Sequence, residues 1–239
     1  MDRKNIIWLY IYMIAGIIDL ALITQNQPDY RYISKPLILL SLTIYFIKGS
    51  YLIKGTFLRK SVGAALVFSL MGDILFLFPH LFIFGIGAFL MVHICYILAF
   101  KLAQDPLLLL NKLYFIKLFL YNLPIYILAA ILYFIIHYQL LQMEIPVVIY
   151  LCAIVLMVTT ARERYKRTND SSFWQVFLGA ALFFISHGIY LIHLFFQPIA
   201  DADILMMGAY LLAQLLMVMG LRSHYFYVIQ EKIKESKSS

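Results

Sequence analysis

Long apolar runs, broken at short intervals by polar or basic stretches, fill almost the whole chain. A membrane-crossing helix needs roughly 20 predominantly apolar residues, and the runs fit that length. Ser61 to Phe78, SVGAALVFSLMGDILFLF, shows the pattern: apolar on every face, with a single carboxylate, Asp73. The spacing predicts eight helices, over about 6–24, 35–53, 61–78, 81–101, 113–136, 145–161, 172–196 and 203–222. Lys35-Pro36 opens the second, since proline suits a first helical turn. Pro79 stops the third, and Pro124 kinks the fifth. Gly63-Ala64-Ala65-Leu66 recurs as Gly179-Ala180-Ala181-Leu182, four helices later. That recurrence suggests two related halves and close helix packing through small residues.

Composition agrees with this reading. Of 239 residues, 64% are hydrophobic and only 13% charged, against roughly 25% charged in soluble domains. The predicted fold class is all-α: a polytopic membrane protein with one eight-helix domain, 1–229, and a polar tail, 230–239. The basic, apolar N-terminus carries Asp19 and has no small-residue cleavage site, so it reads as a retained first helix.

The net charge of +7 reflects basic loops. Seventeen of the 19 Lys and Arg residues fall at the termini or in alternate loops, leaving Arg31 and Lys35 on the other side. Positive-inside logic then places both termini in the cytoplasm. There is no basic and aromatic platform for nucleic acid. Cys95 and Cys152 lie inside apolar helices without CxxC spacing and read as inert buried thiols.

The costly residues carry the candidate chemistry. An ionisable group deep in a bilayer costs at least ~2.5–3.5 kcal/mol on insertion scales, so it marks a cavity or a partner. Asp19, Asp73 and His187 each lie about a dozen residues from a cytoplasmic helix start, roughly 20 Å up at ~1.5 Å per residue. One polar chamber would hold all three. Asp73, with Ser69 one turn earlier, reads as an acid or base in a low-dielectric site, or as a structural hydrogen-bond knot. His187, beside Ser186, reads as a proton shuttle or as a packing residue. His93 and Tyr96, one turn apart, sit mid-membrane. Asp19 either lines the chamber or pairs with Lys35, and Lys35 is an anchor or a receiver for an anionic head group. Tyr150 and Gln214 are polar enough to line a cavity or to bond between helices. Asp73, His93 and His187 could supply three metal ligands, but no HExxH spacing fixes them. There is no GxSxG elbow and no phosphate-cradling glycine loop.

Several blocks together resemble the YhhN-like lysoplasmalogenase family, which includes the transmembrane protein 86 group. Lys35-Pro36-Leu37 looks like the family's KPL, and GAALVFSLMGDILFLF like its GLxFSxxGDxxL, with Asp73 on the family aspartate. FLMVHICYILAF is similar to FxxxHxxY, covering His93 and Tyr96. Pro146 to Thr159 is similar to the short helix containing Tyr150, and YLLAQLLMVMG to YxxAQxLI, with Gln214 matching. GAALFFISHGIYLIHLF resembles GAxLFxxSDxxL with one departure: Ser186-His187 stands where the family reads Ser-Asp.

The resemblance implies hydrolysis of the vinyl ether bond of a lysoplasmalogen in a membrane, giving a fatty aldehyde and glycerophosphoethanolamine or glycerophosphocholine, without a cofactor. Asp73 and His187 would be the catalytic pair. Lys35, Ser69, His93, Tyr96, Tyr150, Ser186, Gln214 and Asp19 would surround the lysophospholipid. A bacterial inner membrane or an endoplasmic reticulum would be the location. Two other classes fit the residues alone: a proton-coupled transporter or lipid-binding protein, and a metal-dependent lipid amide or ester hydrolase.

Overall fold

A computed structural model describes residues 3–51, 55–105 and 112–238. Among these residues every regular element is helical. The α-helices are α1 (Arg3–Thr24), α2 (Pro28–Gly49), α3 (Phe57–Leu75), α4 (Phe82–Leu102), α5 (Lys112–Leu140), α6 (Glu144–Arg162), α7 (Asp170–Phe195) and α8 (Ala202–Ser238). Single 3-10 turns, Pro79–Leu81 and Leu141–Met143, precede α4 and α6. Helices satisfy their own backbone groups, which an apolar solvent requires.

Among the described residues, five helical stretches are long and apolar enough to cross a membrane: Asn5–Thr24, Pro79–Leu102, Ile116–Arg162, Asp170–Phe195 and Ala202–Gln230. Ile116–Arg162 takes in most of α5 and all of α6. The chain is an integral, multi-pass membrane protein. α2 and α3 are not among those stretches: α2 carries Asp29, Arg31, Lys35 and Lys48, and α3 carries Arg59, Lys60 and Asp73.

The predicted boundaries hold to within a few residues for α1, α4, α6 and α7, and move elsewhere. α2 begins at Pro28, with Pro36 inside the helix rather than opening it. Pro28 already supplies the favourable first-turn proline, so the helix gains nearly two turns. Arg31 and Lys35 thereby become helical neighbours at i and i+4. The predicted end of this helix, at 53, lies outside the described residues. α3 starts early because the Thr56 side chain accepts from Arg59 N at 3.3 Å, an N-cap. α8 continues to Ser238, far past the predicted end at 222. Cys95 is buried as expected, but Cys152 is exposed on the apolar surface of α6.

Packing proceeds by antiparallel neighbours. α1 pairs with α2, α3 with α4 and α7 with α8, while α6 joins α4 to α7. α8 also touches α1 and α2. The tightest approach is between α7 and α8. A Cβ on Gly179 would stand 2.9 Å from the Ala213 carbonyl oxygen and the Met217 nitrogen, and one on Gly220 would stand 2.9 Å from the Val176 nitrogen. This is the small-residue contact that lets helix backbones meet in lipid.

Beyond the C-terminal end of α6, Arg164 is fully buried. It donates from Nε and Nη2 to the Ala103 carbonyl at 3.1 and 3.0 Å, and from Nη2 to Ser172 Oγ at 2.7 Å. One guanidinium thus ties the end of α4 to the start of α7. Burial lowers it from its ordinary value to about 9, still well above neutrality, so it stays charged.

Candidate functional site

Asp73 is 3% exposed, near the C-terminal end of α3. Its carboxylate has partners on two other helices. Tyr210 of α8 donates to Oδ2 at 2.9 Å, and Nζ of Lys35 on α2 lies 3.8 Å from Oδ1. Gly72 lets α4 close over this region, because a Cβ there would meet the Phe89 ring at 2.7 Å.

Asp73 opens onto a half-open cavity of about 160 Å³. Its walls come from α2 (Arg31, Lys35), the end of α3 (Asp73, Phe76), α4 (Phe89), α7 (Ser186, His187, Tyr190) and α8 (Asp203, Tyr210). His187 stacks on Phe183, ring centroids 4.4 Å apart. Its Nδ1 lies 2.9 Å from the Phe183 carbonyl. A carbonyl only accepts, so Nδ1 is assigned as the donor and Nε2 is left as the basic nitrogen. Ser186, by contrast, gives its hydroxyl to the Met206 carbonyl at 2.7 Å, tying α7 to α8.

Below the cavity runs a continuous polar network. Tyr96 donates to Gln214 Oε1 at 2.6 Å, and Gln214 Nε2 donates to Ser69 Oγ at 2.9 Å and to the Tyr210 hydroxyl oxygen at 3.3 Å. The chain Tyr96–Gln214–Tyr210–Asp73 thus links α4, α8 and α3. Apolar surroundings make such a network costly unless its members are satisfied, so it fixes the side chains it contains. His93 stands apart from it. It is fully buried, and its ring meets Tyr150 edge-on at 4.9 Å, Phe183 at 5.5 Å and His187 at 6.1 Å.

The residues named from sequence therefore separate into groups. Lys35, Asp73, Ser186 and His187 line one cavity. Ser69, Tyr96 and Gln214 form the network beneath it, while His93 and Tyr150 sit among the rings behind His187. Asp19 departs from both expectations made for it: it neither lines the cavity nor pairs with Lys35. It is fully buried, accepts from Ser34 Oγ at 2.6 Å and pairs with Arg31 at 3.4 Å. The early start of α2 is the cause, since it brings Arg31 onto the helix, and Lys35 turns to Asp73 instead. Among the described residues, no three or more His, Cys, Asp or Glu side chains are grouped to share a metal ion, so Asp73, His93 and His187 do not form a ligand trio.

Sequence reasoning missed Tyr210, Arg31, Ser34, Tyr190 and Asp203. Tyr210 carried a signal: it precedes Gln214 by four residues on one face of α8. Arg31 carried none, because its place depended on a helix start hidden by Pro36.

No solved structure matches the chain. It is 27% identical over 231 residues to the lysoplasmalogenase TMEM86B of Rattus norvegicus, covering 91% of this chain and 87% of that protein. The YhhN family matches residues 30–221, a span holding every cavity residue named above. The chain belongs to the YhhN family.

Proposed function

We propose that this protein is a membrane-embedded hydrolase that cleaves the vinyl ether bond of lysoplasmalogens. The observation that carries the reading is that Asp73 and His187 line one cavity with Lys35 at its wall. Membership in the YhhN family and the similarity to a protein named lysoplasmalogenase support the same substrate class.

The chemistry fits these groups. Protonating the β-carbon of the vinyl ether gives an oxocarbenium ion. Water adds to it, losing a proton, and the hemiacetal collapses to an aldehyde and the free glycerol hydroxyl. Asp73 in its neutral form donates the first proton, and the carboxylate left behind steadies the cation. His187, through Nε2, takes the proton from water. Lys35 receives the phosphate. Tyr210 holds the Asp73 carboxyl in place, and the Gln214, Tyr96 and Ser69 network holds Tyr210. The residues behind His187, His93 and Tyr150, fix its ring. Asp19 acts through Arg31. The cavity takes the polar end of the lipid, and the hydrocarbon chain lies outside it, in the bilayer.

In this reading all eight helices cross the membrane as one domain and the basic loops face the cytoplasm together with both termini. The test is aldehyde release from lysoplasmenylethanolamine by purified protein. Asp73→Asn and His187→Ala should each lose ~10²–10⁴-fold, the usual contribution of a positioned acid or base. Undiminished turnover in Asp73→Asn overturns the mechanism, and no aldehyde from the wild-type protein overturns the activity.

A further inference from the structure

We propose that Lys35 is a covalent holding point for the product: its amine condenses with the long-chain aldehyde formed beside it, giving an imine that occupies the cavity until water hydrolyses it. This rests on reading the cavity as the place where a vinyl ether is cleaved to an aldehyde. It adds a modification site to that reading.

Lys35 lines the cavity from α2, together with Asp73 and His187. Its side chain is 14% exposed, and Nζ lies 3.8 Å from Asp73 Oδ1. Serving as a counter-ion for Asp73 is its ordinary role, and that role asks only for a cation. Arg31, one turn earlier on α2, lines the same cavity and is paired with Asp19 at 3.4 Å. A guanidinium keeps its proton and is no nucleophile, whereas a lysine amine in an enclosed site forms Schiff bases with carbonyl compounds. Lys35 is the only primary amine among the described residues that line the cavity. Its reach follows from the mechanism. Asp73 protonates the β-carbon of the vinyl ether, which must come within about 3–3.5 Å of the carboxyl. The carbon that becomes the aldehyde is the next atom along. Lys35 faces the same carboxyl, so rotation of its flexible stem brings Nζ to that carbon. Departure of the glycerophosphate part releases the amine just as the carbonyl appears.

The step balances without a further reactant. The Lys35 ammonium passes one proton to the Asp73 carboxylate. The amine lone pair forms a C–N bond to the aldehyde carbon, and the π pair of the C=O bond moves to oxygen. The attacking nitrogen passes a proton to that oxygen, giving a carbinolamine. Asp73 returns its proton to the hydroxyl, water leaves, and the nitrogen lone pair closes the C=N bond. In sum, one ammonium and one aldehyde give one protonated imine and one water, with nothing oxidised or reduced. The nitrogen keeps its positive charge, so its attraction to the Asp73 carboxylate persists in the adduct. Phe76, Phe89 and Tyr190 wall the same space, and the aldehyde chain runs out to the bilayer as that of the substrate does.

The experiment turns over lysoplasmenylethanolamine with full-length protein in nanodiscs in the presence of cyanoborohydride, which reduces a protonated imine to a stable secondary amine. Peptides are then read by mass spectrometry. Lys35 should carry an N-alkyl group of the aldehyde's length, at least about tenfold more often than the exposed Lys48 and Lys60, because a positioned encounter outpaces a free one. With hexadecanal added directly, an excess of uncleavable 1-O-alkyl lysolipid should suppress the Lys35 adduct and leave the others. Cyanoborohydride should progressively stop turnover in the wild-type protein but not in Lys35→Arg, whatever the rate of that variant. If Lys35→Arg does not fold, the adduct ratio in wild-type protein decides alone. Aldehyde release with Lys35 unmodified, or modified no more than Lys48 and Lys60, overturns the proposal. If no aldehyde is released, the hydrolase reading falls instead, and added hexadecanal decides Lys35 by the same ratio.

Discussion

Tyr210 donates a 2.9 Å hydrogen bond to Oδ2 of Asp73, joining α8 to α3 at the most deeply buried carboxylate of the cavity. The same hydroxyl accepts from Gln214 at 3.3 Å, so its rotation is set from both sides. Removing that oxygen frees the carboxyl to turn and leaves two buried groups short of a partner. Tyr210→Phe is expected to lower kcat for aldehyde release by about 10–100-fold, from a loss of ~1–3 kcal/mol. KM should change little, because the Tyr210 hydroxyl is taken up by Asp73 and Gln214. Gln214→Leu should give a smaller loss, since it acts on Asp73 only through Tyr210. Steady-state kinetics decides: a Tyr210→Phe defect confined to KM would contradict the positioning role.

The Asp19–Arg31 pair predicts a coupled effect on stability and binding. Asp19 is fully buried while the Arg31 side chain is 21% exposed, so solvent screens part of the interaction. Asp19→Asn should cost about 1–3 kcal/mol of stability, mostly from weakening the support around a partly buried cation. Arg31→Met combined with Asp19→Asn should be less damaging than the sum of the two changes, because each removes what the other leaves unpaired. Unfolding of the four proteins in one detergent supplies the cycle. Strictly additive losses would mean that the pair contributes no coupling energy.

Much of this was legible in the chain. The apolar runs gave eight helices, and the cost of a charge in lipid singled out Asp73 and His187, which meet in one cavity. Two of the errors share one cause. Pro36 was read as a helix start because proline favours first turns, yet Pro28 fills that place and Pro36 is carried inside the helix. That slip hid Arg31 and gave Asp19 the wrong partner. Contacts between distant elements, such as Tyr210 with Asp73, 137 positions apart, have no local signature. They depend on how α3, α4, α7 and α8 pack. Asp203 falls at the start of the predicted eighth helix, and only the packing of α8 brings it to the cavity wall.

Arg164 predicts that lysine cannot replace arginine at the basic end of the bundle. The guanidinium reaches the Ala103 carbonyl with two nitrogens and Ser172 with a third bond, a fork that a single ammonium cannot reproduce. Arg164→Lys should lose about 2–3 kcal/mol, comparable to the loss of a charge-assisted hydrogen-bond set, and Arg164→Met should lose at least as much. Activity per folded molecule should be unchanged, since Arg164 does not line the cavity. Thermal unfolding with parallel aldehyde assays separates the two effects. A loss of turnover in protein that unfolds at the wild-type temperature would show that this tie reaches the site.

The recurring Gly-Ala-Ala-Leu block gives a matched pair of substitutions with opposite outcomes. Gly63 and Gly179 hold equivalent places in the repeat, on α3 and α7, but their surroundings differ. A Cβ on Gly63 meets nothing within 4 Å, while one on Gly179 meets the α8 backbone at 2.9 Å. Gly63→Ala should be neutral or stabilising by about 0.5–1 kcal/mol, because alanine restricts the unfolded chain and favours helix. Gly179→Ala must push α7 from α8 or bend one of them, since backbone cannot rotate away as a side chain can. Overpacking of this kind costs about 1–3 kcal/mol. The displacement would also move Ser186 and His187 relative to Tyr210, so Gly179→Ala should lower turnover while Gly63→Ala leaves it intact. Unfolding temperatures and initial rates for the two single variants are enough to decide. Equal stability in both would mean that the two halves of the repeat pack alike, and that the close α7–α8 contact does not set the geometry of the site.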